Sequence, residues 1–155
     1  MNSPHYFIAV PLPGFLKEQF AGWQRELEAE LPYKQWVHPD DFHITLKFLG
    51  AVDEHHLNTL MKSMQQIERF SAFSLLTGTL GTFGNPKRPR VLWAGVEQKP
   101  DLLRLQSRVE DIAVQTGFQQ ENRAYTPHIT LAKKWGGAMK DLSEIKKHYK
   151  RTTNV

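Results

Sequence analysis

Two stretches of the sequence decide the fold: FHITLKFLG at residues 42–50 and TPHITLA at residues 126–132. Both contain the tetrapeptide His-Ile-Thr-Leu. The composition of the chain predicts only about 0.002 copies of this tetrapeptide by chance, so two copies require a cause. In each stretch apolar residues alternate with polar ones, which is the two-residue period of a strand with one buried face.

This alternation assigns the side chains of each strand to two faces. In the first strand, the face that carries the histidine is predicted to comprise His43, Thr45 and Lys47, opposite Ile44, Leu46 and Phe48. In the second strand it is predicted to comprise His128, Thr130 and Ala132, opposite Ile129, Leu131 and Lys133. Each strand would therefore anchor itself in the core through aliphatic side chains and present an imidazole beside a hydroxyl.

The rest of the chain predicts helices and strands around these two stretches. Further strands are expected at 6–12, around 36–37, at 73–83 and at 90–96. Amphipathic helices are expected at 15–31, at 53–67 with Met61 in its buried stripe, and at 100–117, and a short polar helix is expected at 141–148. Strand-helix-strand units occur in both halves, and each half holds one tetrapeptide. The pattern indicates an α+β or α/β class with helices packed on sheets, arranged as two related lobes of a single domain.

Composition narrows the class of protein. The chain has 20 basic and 16 acidic residues, and the net charge of +4 favours an anionic ligand. It has no cysteine, which excludes disulfides, thiolate nucleophiles and cysteine-ligated zinc. The N-terminal segment lacks the pattern of a signal peptide, and nowhere do 18 apolar residues run together, so we expect a cytoplasmic protein without a membrane span.

The repeated pair of imidazole and hydroxyl suits hydrolysis of a phosphodiester. The attacking and leaving oxygens lie roughly in line through phosphorus, so two proton shuttles are needed on opposite sides. Histidine, with an ordinary pKa near 6.5, serves as acid in one position and as base in the other at neutral pH. Threonine hydroxyls can donate hydrogen bonds to the non-bridging oxygens. The candidate catalytic residues are therefore His43, His128, Thr45 and Thr130, and their local sequences do not distinguish acid from base.

A metal site is the competing chemical interpretation of the two histidines. They lie far apart in the sequence, and neither motif has a nearby acidic residue. The sequence therefore shows fewer candidate ligands than the three or four that a metal site usually has. Because a cyclic phosphate is strained and its leaving alkoxide takes a proton from the acid, we expect neither a metal nor a cofactor.

The two stretches resemble the two-histidine (2H) phosphoesterase superfamily and, within it, the bacterial and archaeal RNA 2',3'-cyclic phosphodiesterases, historically called 2'-5' RNA ligases. The likeness extends to residues 6–10 and 88–96. It implies one bilobal α+β domain over residues 1–155, with two pseudo-twofold-related antiparallel sheets and outer helices around a central cleft. It also implies opening of a 2',3'-cyclic phosphate to a 2'-phosphate, with His43 as proton donor to the leaving 3'-oxygen and His128 as the acceptor that activates water.

The sequence departs from this family at two places. Many relatives have arginine where this chain has Lys133, which keeps the charge but loses the bidentate geometry for phosphate. Relatives also usually continue with at least one more strand, whereas this sequence stops at residue 155. We expect either a truncated chain or a second lobe completed in another way, for example by a partner chain that pairs with an open edge. The sequence does not determine the oligomeric state, and a monomer and an edge-completed dimer are both expected possibilities.

Further substrate contacts and two alternative functions follow from the same reasoning. The residues predicted to bind the RNA backbone are Lys47, Arg88, Arg90 and Lys133. Phe48 and Phe83 are candidates for stacking on a base, although the alternation favours a core position for Phe48. The predicted partners are RNA 3' ends or small cyclic nucleotides, such as an ADP-ribose cyclic phosphate or a 2'-5' linkage. An RNA-end binding module without turnover is the third interpretation.

Overall fold

The computed structural model of the chain describes residues 4–149 and 152–154. Its strands and helices are, in order, β1 (His5–Pro11), α1 (Gly14–Glu28), β2 (Tyr33–Trp36), β3 (His43–Ala51), α2 (Glu54–Ser63), β4 (Leu76–Phe83), β5 (Val91–Val96), α3 (Pro100–Gln115), β6 (His128–Trp135), α4 (Ser143–His148) and β7 (Thr152–Asn154). Two 3-10 helices lie at Pro39–Asp41 and Met64–Arg69. The predicted α+β class is confirmed.

The strands form two sheets. One contains β1 and β3, and the other has five strands in the order β2-β6-β5-β4-β7 with antiparallel pairing throughout. Strand β7 pairs with the start of β4, at a part of the chain where the sequence predicted no strand. Within the described part of the chain, no helix has both the length and the apolar character that a bilayer span requires.

The chain divides into two compact units, each assembled from three separate segments. The first unit comprises Met1–Val10, Thr45–Ser74 and Gln98–Thr126, and the second comprises Pro11–Ile44, Leu75–Glu97 and Pro127–Val155. The units are therefore not the two halves of the sequence. His43 and His128 both belong to the second unit, whereas Thr45 belongs to the first. The expectation that each lobe contributes one whole motif strand is corrected in this respect.

The core of the second unit lies along α1 and the inner face of the five-stranded sheet. The buried face of α1 has the predicted spacing and consists of Leu16, Phe20, Trp23, Gln24 and Leu27. The sheet contributes residues that are essentially inaccessible to solvent, among them Leu92, Ala94, Ile129 and Leu131. Burial of each large aliphatic or aromatic side chain contributes about 1.5–3 kcal/mol to the free energy of unfolding.

The core of the first unit is smaller and lies between α2 and α3. It is built on Leu60, Ile112 and Ala113. Asp53 caps α2 as predicted, because its carboxylate accepts the backbone N–H of His56 at 2.8 Å. The predicted inward position of Met61 is wrong, since 61% of this residue is exposed.

Candidate active site

Strand β6 carries the second motif and contains a bulge. Trp93 of β5 pairs with Thr130, whereas its neighbour Leu92 pairs with Ala132, so Leu131 is the additional residue. A bulge shifts the alternation of all residues that follow it. Ala132 is accordingly buried beside Leu92, with no exposed surface, and the prediction that it shares the face of His128 is wrong.

The bulge moves Lys133 to the face that carries Thr130. Lys133 pairs with Val91, which lies two residues before Trp93 on β5 and therefore on the same face. Trp93 in turn pairs with Thr130. The prediction that Lys133 lies on the opposite, core-facing side is wrong. Lys133 is an exposed residue.

His128 packs against two aromatic rings of the same unit. The Phe83 ring stands nearly perpendicular to the imidazole, with centroids 4.9 Å apart, and the Trp93 ring lies at 5.9 Å. Trp93 reaches this position because Gly81 has no side chain. A Cβ atom on Gly81 would come within 2.2 Å of the indole ring. Neither the contact of Trp93 with His128 nor a packing role for Phe83 was predicted from the sequence.

His43 follows the 3-10 helix at Pro39–Asp41 and is oriented by it. Its Nδ1 lies 2.6 Å from the backbone oxygen of Asp41. Because a carbonyl oxygen only accepts hydrogen bonds, this contact places a proton on Nδ1 and orients the imidazole ring. His38 precedes the 3-10 helix and caps it by accepting the N–H of Asp40 at 3.1 Å.

Tyr125 holds the backbone of the first motif from within the first unit. Its hydroxyl donates a hydrogen bond of 2.7 Å to the carbonyl oxygen of Thr45. Burial raises the pKa of the Tyr125 phenol, so the group remains a neutral donor. No role for Tyr125 was predicted from the sequence.

Lys47 is committed to the interior of the first unit. Only 6% of the residue is exposed, and its Nζ donates to both carboxylate oxygens of Glu110, at 3.0 and 2.9 Å, and to the carbonyl oxygen of Gln119 at 2.9 Å. An ammonium group has three protons, and these contacts use all of them. Glu110 also accepts the N–H of Glu121 at 2.7 Å. The assignment of Lys47 to the RNA backbone is therefore corrected to a structural role.

Phe48 points away from the core. It is 68% exposed, so the core position favoured by the alternation is wrong. Its ring lies 6.2 Å from that of Phe7, another exposed residue. Phe48 also lines a cavity of about 330 Å³, which is formed by residues 47–50 and 118–122 of the first unit.

The two motif strands share a pattern of burial. In each, the first five residues are half-buried, buried, half-buried, buried and buried, and the sixth is exposed. Lys47 of β3 thus corresponds to Ala132 of β6, and Phe48 corresponds to Lys133. The two remaining predicted contacts, Arg88 and Arg90, are exposed residues at the connection between β4 and β5.

Comparison with known proteins identifies the family. A family model for LigT-like phosphoesterases matches residues 10–93 and 95–154. The chain belongs to the LigT-like phosphoesterase family. This confirms the resemblance seen in the two motifs.

Individual relatives of this LigT-like chain are named for one activity. The RNA 2',3'-cyclic phosphodiesterase of Geobacillus stearothermophilus is 40% identical over 138 residues, which are 88% of this chain and 44% of that protein. The protein of the same name from Bacillus subtilis is 41% identical over 135 residues, or 86% of this chain and 73% of the relative. The chain thus spans less than half the length of the first relative and about three quarters of the second.

Solved structures of similar proteins have the same fold. The crystal structure of E. coli LigT complexed with 3'-AMP has a TM-score of 0.74 at 30% identity, covering 90% of this chain and 77% of that one. The structure of TT0787 from Thermus thermophilus has a TM-score of 0.75 at 25% identity and covers 98% and 80% of the two chains. Within residues 4–149 and 152–154, no three His, Asp or Glu side chains of this LigT-like chain are grouped to hold a metal ion.

Proposed function

We propose that this chain is an RNA 2',3'-cyclic phosphodiesterase that opens the terminal cyclic phosphate to leave a 2'-phosphate. The observation that carries the proposal is the duplicated His-Ile-Thr-Leu strand in a member of the LigT-like phosphoesterase family. Two relatives at 40% and 41% identity bear the name of this activity, which supports extending it to this chain.

In the proposed reaction one histidine donates a proton and the other accepts one. His128 takes a proton from a water molecule, whose oxygen forms a bond to phosphorus. The bond from phosphorus to the 3'-oxygen breaks, and protonated His43 delivers its Nε2 proton to that oxygen. The hydrogen bond from Nδ1 to the carbonyl oxygen of Asp41 supports the role of His43, because it fixes the orientation of the imidazole ring. Which histidine is the acid follows from the likeness to the family.

Neighbouring polar groups would stabilise the charge on the phosphate. The hydroxyls of Thr45 and Thr130 donate to the non-bridging oxygens, where negative charge is held during the reaction. Lys133 adds a positive charge on the face of Thr130, a position that follows from the bulge in β6. It acts as a point charge and does not form the two parallel hydrogen bonds of an arginine.

Outer contacts with the nucleotide are proposed at exposed residues. Arg88 and Arg90 would meet the backbone phosphates of RNA, and the exposed ring of Phe48 would stack on a base. Phe83 packs against His128. It would therefore help to orient that imidazole, and it would also stack on a base of the substrate.

The test uses an RNA oligonucleotide that ends in a 2',3'-cyclic phosphate. We expect hydrolysis in the presence of a metal chelator, with the phosphate of the product on the 2'-oxygen as read by ³¹P NMR. His43→Ala and His128→Ala should each lower the rate about 10²- to 10⁴-fold. His55→Ala, at an exposed histidine of α2, is the matched control and should retain the native rate. Native activity in the double variant at positions 43 and 128 would eliminate the proposal.

A small cyclic nucleotide is the second candidate substrate. It is favoured by the solved complex of E. coli LigT with the mononucleotide 3'-AMP. A panel of a nucleoside 2',3'-cyclic phosphate, an ADP-ribose cyclic phosphate and a 2'-5'-linked dinucleotide separates these substrates from RNA ends. Tight binding of cyclic-ended RNA with no product would instead indicate a binding module without turnover.

A further inference from the structure

Gln24 places a buried amide between the two motif-bearing segments of the second unit. It is 5% exposed, and its Nε2 donates to the carbonyl oxygens of Val37, at 2.7 Å, and of Leu131, at 2.9 Å. Both protons of the amide are used in this way. Val37 precedes the turn that leads to His43, and Leu131 is the bulge residue that directly follows Thr130. One side chain therefore joins the approach to the first motif with the second motif.

Helix α1 contacts the approach to His43 at a second point. Phe20 lies one turn before Gln24 and packs edge-on against Phe42, with ring centroids 6.5 Å apart and planes at 85°. Both rings are almost fully buried, at 0% and 2% exposure. Phe42 immediately precedes His43, whose ring is in turn bonded to the backbone of Asp41. The helix thus holds this segment by packing and by hydrogen bonding.

Helix α3 repeats the same contact in the first unit. Gln106 donates from Nε2 to the carbonyl oxygen of Leu46 at 3.4 Å, and Leu46 follows Thr45 as Leu131 follows Thr130. In both helices a buried apolar residue lies four positions before the glutamine and another lies three positions after it; these are Phe20 and Leu27 in α1, and Leu102 and Val109 in α3. In both motifs, therefore, a glutamine amide binds the carbonyl oxygen of the leucine that follows the threonine, and we regard this hydrogen bond as a structural feature of the motif.

We propose that Gln24 is a positioning residue of the phosphodiesterase. It fixes the backbone at Val37 and at Leu131, and through them the placement of His43 and of the strand that carries His128. Catalysis depends on such placement, because a displacement of about 1 Å can cost roughly 10²-fold in rate. The inference rests on the proposed function, since it assigns Gln24 to the reaction catalysed by the two histidines.

The test compares Gln24→Leu with the native chain and with a matched control. Leucine keeps a similar volume but removes both N–H donors. We expect kcat for a nucleoside 2',3'-cyclic phosphate to fall about 10- to 100-fold, with KM changed by less than about threefold. The imidazole signals of His43 and His128 in ¹H-¹⁵N NMR spectra should shift as well. Gln115→Leu, at an exposed glutamine of α3, should change neither readout.

The outcomes separate this inference from the proposed function. A folded Gln24→Leu variant with native kcat and unchanged imidazole signals would overturn the positioning role. If the native chain does not hydrolyse the cyclic phosphate, the proposed function fails, and the imidazole signals alone decide whether Gln24 positions the rings. If Gln24→Leu does not fold, Gln24→Glu is judged by the same criteria. Loss of folding in both variants would make the role purely structural and overturn the inference.

Discussion

Replacing Lys47 by methionine tests whether this residue serves the fold or the ligand. Methionine keeps most of the aliphatic stem and removes the ammonium group. The Lys47 side chain is 5% exposed and that of Glu110 is 15% exposed, so the change leaves the carboxylate of Glu110 buried beside Gln119 without its counter-ion. The backbone N–H of Glu121 would remain bonded to it.

The expected cost of Lys47→Met follows from this burial. Removing one partner of a buried ion pair typically lowers the free energy of unfolding by about 3–5 kcal/mol. For a domain of this size, each kcal/mol shifts Tm by about 2–4 °C, which gives a fall of roughly 6–20 °C. Adding Glu110→Gln should recover roughly half of the loss, because the neutral amide removes the unpaired charge and still offers an acceptor to Glu121.

Urea unfolding followed by circular dichroism measures this cost, with Lys62→Met as control. Lys62 is an exposed residue at the end of α2, and its replacement should change the free energy of unfolding by less than about 0.5 kcal/mol. In the folded Lys47→Met protein, the dependence of KM on salt concentration should match that of the native chain. A stable Lys47→Met variant with a raised KM and a weaker salt dependence would refute the structural assignment and return Lys47 to the ligand.

Three further outcomes are expected. Combining His43→Ala with His128→Ala should cost about as much rate as the worse single change, because residues that act as a unit are not additive; additive losses in single-turnover kinetics would argue for independent roles. Lys133→Arg should lower KM for cyclic-ended RNA about two- to tenfold at unchanged kcat, since arginine forms bidentate bonds to phosphate; an unchanged KM would place Lys133 away from the substrate. Tyr125→Phe should lower the free energy of unfolding by about 0.5–1.5 kcal/mol and reduce kcat, because the carbonyl oxygen of Thr45 loses its donor; equal stability and kcat would remove Tyr125 from the account.

The local periodicity of the sequence predicted most of the elements. The apolar spacing placed α1 and α3 correctly, and the alternation assigned the first four residues of each motif to the right face. For the helix predicted at 53–67 it failed at one residue: Leu60 is buried, and Met64 and Ile67 pack against the same core, but Met61 is exposed.

In each motif strand the errors begin at the fifth residue. A bulge is a property of a pair of strands, so the extra residue at Leu131 cannot be read from β6 by itself. The shift moved Ala132 into the core and Lys133 out of it. The same burial pattern in β3 has Lys47 buried and Phe48 exposed. Lysine in a buried position was predictable only with its partner, Glu110, which is 63 residues away in the sequence.

The supporting residues of the site depend on contacts that are distant in the sequence. Gln24 and Leu131 are 107 positions apart, and Tyr125 and Thr45 are 80 apart. Glycine at position 81 within a predicted strand was the one local signal, since a glycine there often marks the close approach of another group. In this structure the approaching group is the indole ring of Trp93.

A crystal structure with a bound nucleoside 2'-phosphate, the proposed product, is the most direct measurement of the central claim. We predict that the phosphate lies between the two imidazoles, with an Nε2 atom of both His43 and His128 within about 3 Å of its oxygens. A phosphate that contacts only one of these histidines, or that binds elsewhere on the chain, would contradict the account.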